Sequence, residues 1–487
     1  MGRRRPPRPV GLIALVAALA SSRLGLKAIS DNSTLVHLRT GLELLKTGRV
    51  PHHDPYSYTA PGHPWVVQSW LASLVYALAD RAGHHLFVVE QGVIFAAVGL
   101  ACVWAARSRT AWRTGLAAVL ALGASSPGWS PRPLMFGLLC LALTITVTQR
   151  RASPLWMVPI VWVWVNTHGS FPLGLAWIGA VTVGEVIDVR GWPRTNLPRL
   201  GGFLGGLVVA FINPVGPHLL TFPLVALHKK ATFQNIVEWH SPNFQDPNTF
   251  IALVFIGLSL IVLLRAALPW SQLLPVCGFV VAGLLAVRNL APLGIALAPA
   301  LATALAQPPV LSDVGPRWWN RGLSVINRFG RSAVWRAAVV VAVVAVAAGL
   351  VVRSESGPGL ELSGYPVGAY RHLVATGRLG PAHRIAAIDV VGCFFVYEAG
   401  PTTKVFIDDR YDMYPKNVTV DAGILSGGRA GVGAVLDRWQ VDTVVWGENQ
   451  ALPGELAALG GWRRDWSDGT WVVMVRDPTV PGTGRTT

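Results

Sequence analysis

Between Asp31 and Leu71 the chain places Asp31, His37, His52, His53, Asp54, Tyr56, Tyr58 and Trp65 in a stretch too polar to lie in hydrocarbon. It follows the first apolar segment directly, so these side chains stand beside a membrane face. A carboxylate there can exchange protons, and imidazoles and aromatic rings beside it can contact a polar group. These are the parts needed to handle a polar headgroup. Asp31 is placed to meet both headgroup and water, and equally to cap a helix starting near Ser33. Asp54 precedes a proline, an ordinary turn signal, and is the second acid, as base or metal ligand. His37, His52 and His53 can join Asp54 around a divalent cation, but their spacing matches no compact metal motif. Solvated loop histidines are the plainer reading.

Further along, polar residues recur at the ends of apolar runs: Arg132, Asn166 with His168, Asn213, Glu238-Trp239-His240, and Arg288 with Asn289. Guanidinium grips phosphate oxygens in bidentate fashion, which makes Arg132 and Arg288 the candidate phosphate-holding cations. Lys229 and Lys230 can serve the same end or meet anionic lipid headgroups. Asn166 and His168 read as a buried hydrogen-bonded pair or as a phosphate or sugar contact. Glu238 and His240 flank Trp239, which suits sugar stacking and equally an interfacial tryptophan belt. Polar groups at span ends are costly unless they pair or line a cavity, so one outer cavity shared with Asp31 is expected.

The elements that must carry these groups follow from composition. The 487 residues are 52% hydrophobic and 14% charged, with mean hydropathy +0.45, which excludes an ordinary soluble domain. The net charge of +16 does not point to nucleic acid. The first 352 residues hold 28 basic and 10 acidic side chains, whereas residues 353–487 hold 13 and 15. The excess therefore belongs to the apolar region and reports topology. Spans are read near 10–29, 84–106, 114–127, 132–149, 154–166, 171–188, 199–213, 249–266, 270–287, 290–306 and 335–352. With the amino terminus inside, one set of connections holds 18 Lys/Arg against Asp188 and Asp313, and the other holds 8 against six acids. That asymmetry fixes the orientation, and eleven spans put the carboxy terminus outside. Residues 66–82 read as an interfacial or re-entrant helix, because a span there would invert every later loop. The four cysteines suggest neither a disulfide framework nor a CxxC metal site.

After residue 353 the pattern becomes that of a water-soluble domain. RIAAI, KVFID and DTVVW read as short buried strands, GVGAVLDRWQ and ELAALG as helices, and TWVVMVR as a closing strand. The expected organisation is a membrane domain over 1–352 with a large first outer loop at 30–83. A small extracytoplasmic α/β domain follows over 353–478, then a disordered tail at 479–487.

Several motifs recur in one order: Asp31, His37-Leu38-Arg39-Thr40-Gly41, Pro51, Asp54-Pro55-Tyr56-Ser57-Tyr58-Thr59, Trp65 and Trp70-Leu71. Arg132-Pro133, Asn166-Thr167-His168-Gly169, Asn213-Pro214-Val215-Gly216, Glu238-Trp239 and Phe406-Ile407-Asp408-Asp409-Arg410 follow. In that order the chain resembles the GT-C superfamily of polytopic membrane glycosyltransferases, and more closely a largely uncharacterised bacterial branch of it. The resemblance covers nearly the whole chain. It implies a polytopic α-helical fold of about 11 transmembrane helices in a bacterial cytoplasmic membrane. It also implies a key aspartate after the first helix, which favours retaining that helix over cleavage at the ALASS site. Two departures stand out: Leu35-Val36 replaces paired tryptophans, and Gln68-Ser69 replaces a His-Glu pair.

The activity implied is inverting transfer of a sugar from a polyprenyl-phosphate donor to a cell-envelope glycan, lipid or protein acceptor at the outer face. Asp31 and Asp54 would be the catalytic acids. His37, Arg132, Asn166, His168, Glu238, Trp239, His240 and Arg288 would contact substrate or phosphate, with a divalent cation as an optional cofactor. Two other classes compete: a transporter or flippase for a lipid-linked sugar, and a non-catalytic scaffold of the same architecture. No repeated halves are visible, against the transporter, and the lost His-Glu pair favours the scaffold.

Overall fold

A computed structural model describes residues 8–150, 152–194, 196–228, 237–307 and 359–480. The span read at 335–352, the basic stretch Arg317 to Arg336, and Lys229-Lys230 lie outside the described residues. The chain divides into two compact units. The first comprises Met1–Ala28, Ala79–Pro223 and Gln234–Gly359, and the second Ile29–Leu78, Leu224–Phe233 and Leu360–Thr487.

The first part of the chain is helical: α1 (Arg8–Gly25), α2 (Asn32–Thr47), α3 (Trp70–Ala82), α4 (His84–Ala105), α5 (Ala111–Ser125) and α6 (Leu134–Arg150). Then come α7 (Met157–Thr167), α8 (Pro172–Val189), α9 (Asn196–Val209), α10 (His218–His228), α11 (Pro247–Leu263), α12 (Trp270–Leu285) and α13 (Leu290–Ala304). Each span read between residues 10 and 306 falls on one of these helices. His84–Ala105, Pro172–Val189 and Val287–Ala304 are long and apolar enough to cross a membrane.

Helix starts in the first unit follow local chemistry. Pro172 and Pro247 occupy first turns, where the missing N–H costs nothing. Asp246 caps α11 by accepting from the Asn248 and Thr249 amides. Asp188, at the end of α8, caps α12 instead, accepting from Trp270 N at 2.8 Å and Ser271 N at 3.0 Å. Within this unit α1 packs on α4, α5 on α13 and α11, α7 on α9, and α8 on α12.

In the second unit α2 crosses the start of α3. His37 meets Ser73 at 3.0 Å, and Gly41 lies one turn further along. A Cβ at Gly41 would stand 1.9 Å from the Ser73 carbonyl oxygen, so this crossing requires glycine. The loop between them is pinned by the Asp54 amide donating to the His63 carbonyl at 2.8 Å and by a bridge between His53 and Pro64.

The rest of this unit holds α14 (Val367–Ala375), β1 (Ile385–Ala387), α15 (Asp389–Ala399), α16 (Lys416–Gly427), α17 (Val432–Arg438), β2 (Thr443–Gly447), α18 (Ala451–Leu459), β3 (Trp462–Ser467) and β4 (Trp471–Arg476). The sheet order is β1-β2-β4-β3, with β1 parallel to β2 and the other pairs antiparallel. One strand reading needs correction, and one strand was not read. KVFID forms no strand: Val405 makes single bridges to Ile385 and Ser57, so its backbone is spent on the first loop as much as on the sheet. WRRDWS is a strand that the pattern hid, because a register shift between Arg464 and Trp466 breaks its alternation.

Candidate active site

Asp31 is the N-cap of α2, with extended backbone (φ −80°, ψ 123°). Its Oδ1 accepts from the Thr34 amide at 3.3 Å and the Thr34 hydroxyl at 3.5 Å. The capping reading is therefore right, and it leaves catalysis open, since a cap fixes where a carboxylate stands. His37, a turn and a half later, pairs with Ser73. Gln68 donates to Ser69 Oγ at 2.9 Å just ahead of α3.

Asp54 is buried at the centre of a charge cluster. Its Oδ1 accepts from the Tyr56 amide at 3.0 Å, and its Oδ2 from the Ser57 amide at 3.1 Å and the Ser57 hydroxyl. Arg410 Nη2 lies 2.8 Å from Asp54 Oδ1 and 2.6 Å from Asp408 Oδ2, while Arg410 Nε donates to Asp408 Oδ1 at 2.8 Å. Tyr414 donates to Asp408 at 3.1 Å. The guanidinium is boxed by the rings of Trp65 and Tyr56, 4.5 and 4.9 Å from their centroids. The Asp54 and Asp408 side chains have no exposed surface and Arg410 has 6%. Burial opposes the Arg410 charge, but Asp408, Tyr414 and Asp54 outweigh it and hold its pKa well above the ordinary value. The same desolvation pushes the Tyr56 phenol up to about 12. Sequence reading had left Arg410 as a motif residue of unknown role. No local signal ties it to an aspartate on the first loop.

His52 and His53 are exposed while Asp54 is buried, so these three do not form one ligand set. Among the described residues no group of three or more His, Cys, Asp or Glu is gathered where it could hold a metal ion.

The first unit brings together a second set. Arg132 Nη1 meets Glu238 at 2.5 Å, with 28% and 50% of those side chains exposed. The Arg288 guanidinium stacks over Trp239 at 4.3 Å, and the Val287 amide donates to the His240 carbonyl at 2.9 Å. Arg132, Glu238, Trp239, His240 and Arg288 are thus neighbours despite their separation in sequence. Asn166 is fully buried and donates to Trp162 of its own helix at 2.7 Å. His168 meets Ser170 at 2.8 Å, and both fill the space beside Gly137, in the first turn of α6 shortly after Arg132.

No family model and no curated protein matches the chain. Solved structures do. The oligosaccharyltransferase of Archaeoglobus fulgidus in its apo form aligns at 11% identity over 92% of this chain and 73% of its own, with TM-score 0.51. ArnT from Cupriavidus metallidurans bound to undecaprenyl phosphate aligns at 16% identity over 96% and 97%, with TM-score 0.46. The mycobacterial arabinofuranosyltransferase AftD aligns at 16% identity over 95% of this chain and 41% of its own, with TM-score 0.49. The fold is that of the GT-C glycosyltransferases.

Proposed function

We propose that this protein is an inverting membrane glycosyltransferase. It would move a sugar from a polyprenyl-phosphate donor to a cell-envelope glycan, lipid or protein acceptor at the outer face of a bacterial cytoplasmic membrane. The observation that carries the reading is Asp31, a carboxylate fixed at the N-cap of α2 immediately after the first apolar helix of a GT-C fold. Asp31 takes the proton of the acceptor hydroxyl. The acceptor oxygen attacks the anomeric carbon, and the bond from that carbon to the phosphate oxygen breaks with its electron pair, releasing polyprenyl phosphate. The leaving phosphate gains negative charge, which Arg132 and Arg288 neutralise. Arg132 suits this because its pair with Glu238 is exposed; such pairs contribute ~0–1 kcal/mol, so phosphate can replace the carboxylate. Trp239, with Glu238 and His240 at its sides, offers the sugar a stacking face, and Asn166, His168 and His37 supply further polar contacts. Asp54 serves as the acid that holds Arg410, since its oxygens are already committed there.

The test is purified protein in liposomes given a panel of radiolabelled polyprenyl-phosphate sugars. Label should move to acceptor with release of polyprenyl phosphate. Transbilayer movement of intact donor without bond cleavage would favour the transporter instead. Arg132→Ala and Arg288→Ala should each raise the Kd for polyprenyl phosphate by roughly 10-fold or more, the value of a charged hydrogen bond; unchanged affinity in both would place the phosphate elsewhere.

Orientation has its own check. The proposal puts the amino terminus inside and the carboxy-terminal domain outside. A cysteine at Val374, which is 54% exposed, should react with an impermeant maleimide in intact cells once Cys277 and Cys393 are replaced. Labelling only after the cells are opened would reverse the topology.

A further inference from the structure

The residues on either side of Asp31 are held by chain more than 300 positions away. The Ile29 carbonyl accepts from the Glu361 amide at 2.9 Å, within a parallel bridge between Ile29 and Leu360. The Ser30 carbonyl accepts from the Tyr365 hydroxyl at 2.9 Å. Asn32 Nδ2 reaches the buried Cys393 Sγ at 3.8 Å. By contrast, the side-chain bonds of Asp31 to Thr34, at 3.3 and 3.5 Å, lie at the long end of the hydrogen-bond range. The cap sets the carboxylate at the start of α2, and its position depends as well on the backbone that leads into it.

From this geometry we infer that Tyr365 is a positioning residue for Asp31. Its hydroxyl holds the carbonyl of the peptide group that joins Ser30 to Asp31, and so sets where the following carboxylate stands. The phenol is itself fixed. Its ring stacks on Phe394 of α15 at 5.4 Å, with 24° between planes, and Phe394 in turn meets Tyr370 and Phe395. Tyr365 is 7% exposed, and its main chain is tied in a turn by bonds from its amide to Leu362 and from the Val367 amide to its carbonyl. A hydroxyl on an immobilised ring gives the loop a fixed reference point, whereas a solvent-exposed donor would not.

The inference rests on Asp31 being the base, and the experiment separates the two. Tyr365→Phe removes one oxygen and keeps the stack. Using the polyprenyl-phosphate sugar of the panel that turns over fastest, kcat per folded molecule should fall about 10-fold, because small misplacement of a reacting group is costly. KM for that donor should stay within about twofold. The decisive arm repeats the change in an Asp31→Asn background. A residue acting through Asp31 should then have almost no further effect, whereas a merely structural one would lower activity by the same factor again. Unchanged kcat in Tyr365→Phe, or a full additional loss in the double variant, overturns the inference. Full activity in Asp31→Asn alone overturns the base assignment itself.

Discussion

Asp31→Asn is expected to lower turnover by about 10²–10⁴-fold while leaving the protein as stable as before. The substitution is informative because asparagine caps helices about as well as aspartate does. It keeps an oxygen for the Thr34 amide, so α2 retains its start, and it removes only the capacity to take a proton. A cap lost outright would cost about 0.5–2 kcal/mol, which Asp31→Ala should show in addition to inactivity. The measurement is single-turnover sugar transfer set beside thermal unfolding for each variant. If Asp31→Asn transfers sugar at the wild-type rate, Asp31 is a cap and nothing more.

Arg410→Met should destabilise the second unit by about 3–5 kcal/mol, the cost of leaving buried charge uncompensated. Removing the guanidinium strands Asp54 and Asp408, neither of which has exposed side-chain surface, and takes the cation away from the rings of Trp65 and Tyr56. Combining it with Asp54→Asn and Asp408→Asn should recover much of the loss, because neutral amides no longer need the counter-charge. Denaturant unfolding followed through the tryptophans near this cluster reads both effects. A change below about 1 kcal/mol in Arg410→Met would mean that water reaches the cluster and screens it. This prediction is independent of the first: it concerns what holds the first loop, not what the loop does.

The two predictions mark how far the sequence went. Apolar runs of span length, the basic connections between them and the polar stretch after α1 were legible because they are local. Hydrophobic length and composition set helix formation in these segments directly. The turn at Asp54-Pro55 and the cap at Asp31 were legible for the same reason, since each is satisfied within three residues. Strand reading failed where a partner overrode the pattern. Val405 bridges to Ser57 on the first loop instead of extending a strand, and the shift near Asp465 blurred the alternation of β3.

What only the tertiary structure decided is the surroundings of each acid. From sequence, Asp31 and Asp54 were two carboxylates in one loop, and each could be a base, a ligand or a turn former. Folding brings Arg410 to Asp54 from 356 positions away and Tyr365 to the residue before Asp31 from 335. The one carboxylate is thereby given a buried counter-charge and committed oxygens, and the other a backbone held from behind. Such pairings arise from the path of the whole chain, and neither composition nor spacing encodes them. The sequence therefore determined the elements and the chemical groups available, while long-range contacts assigned those groups their environments.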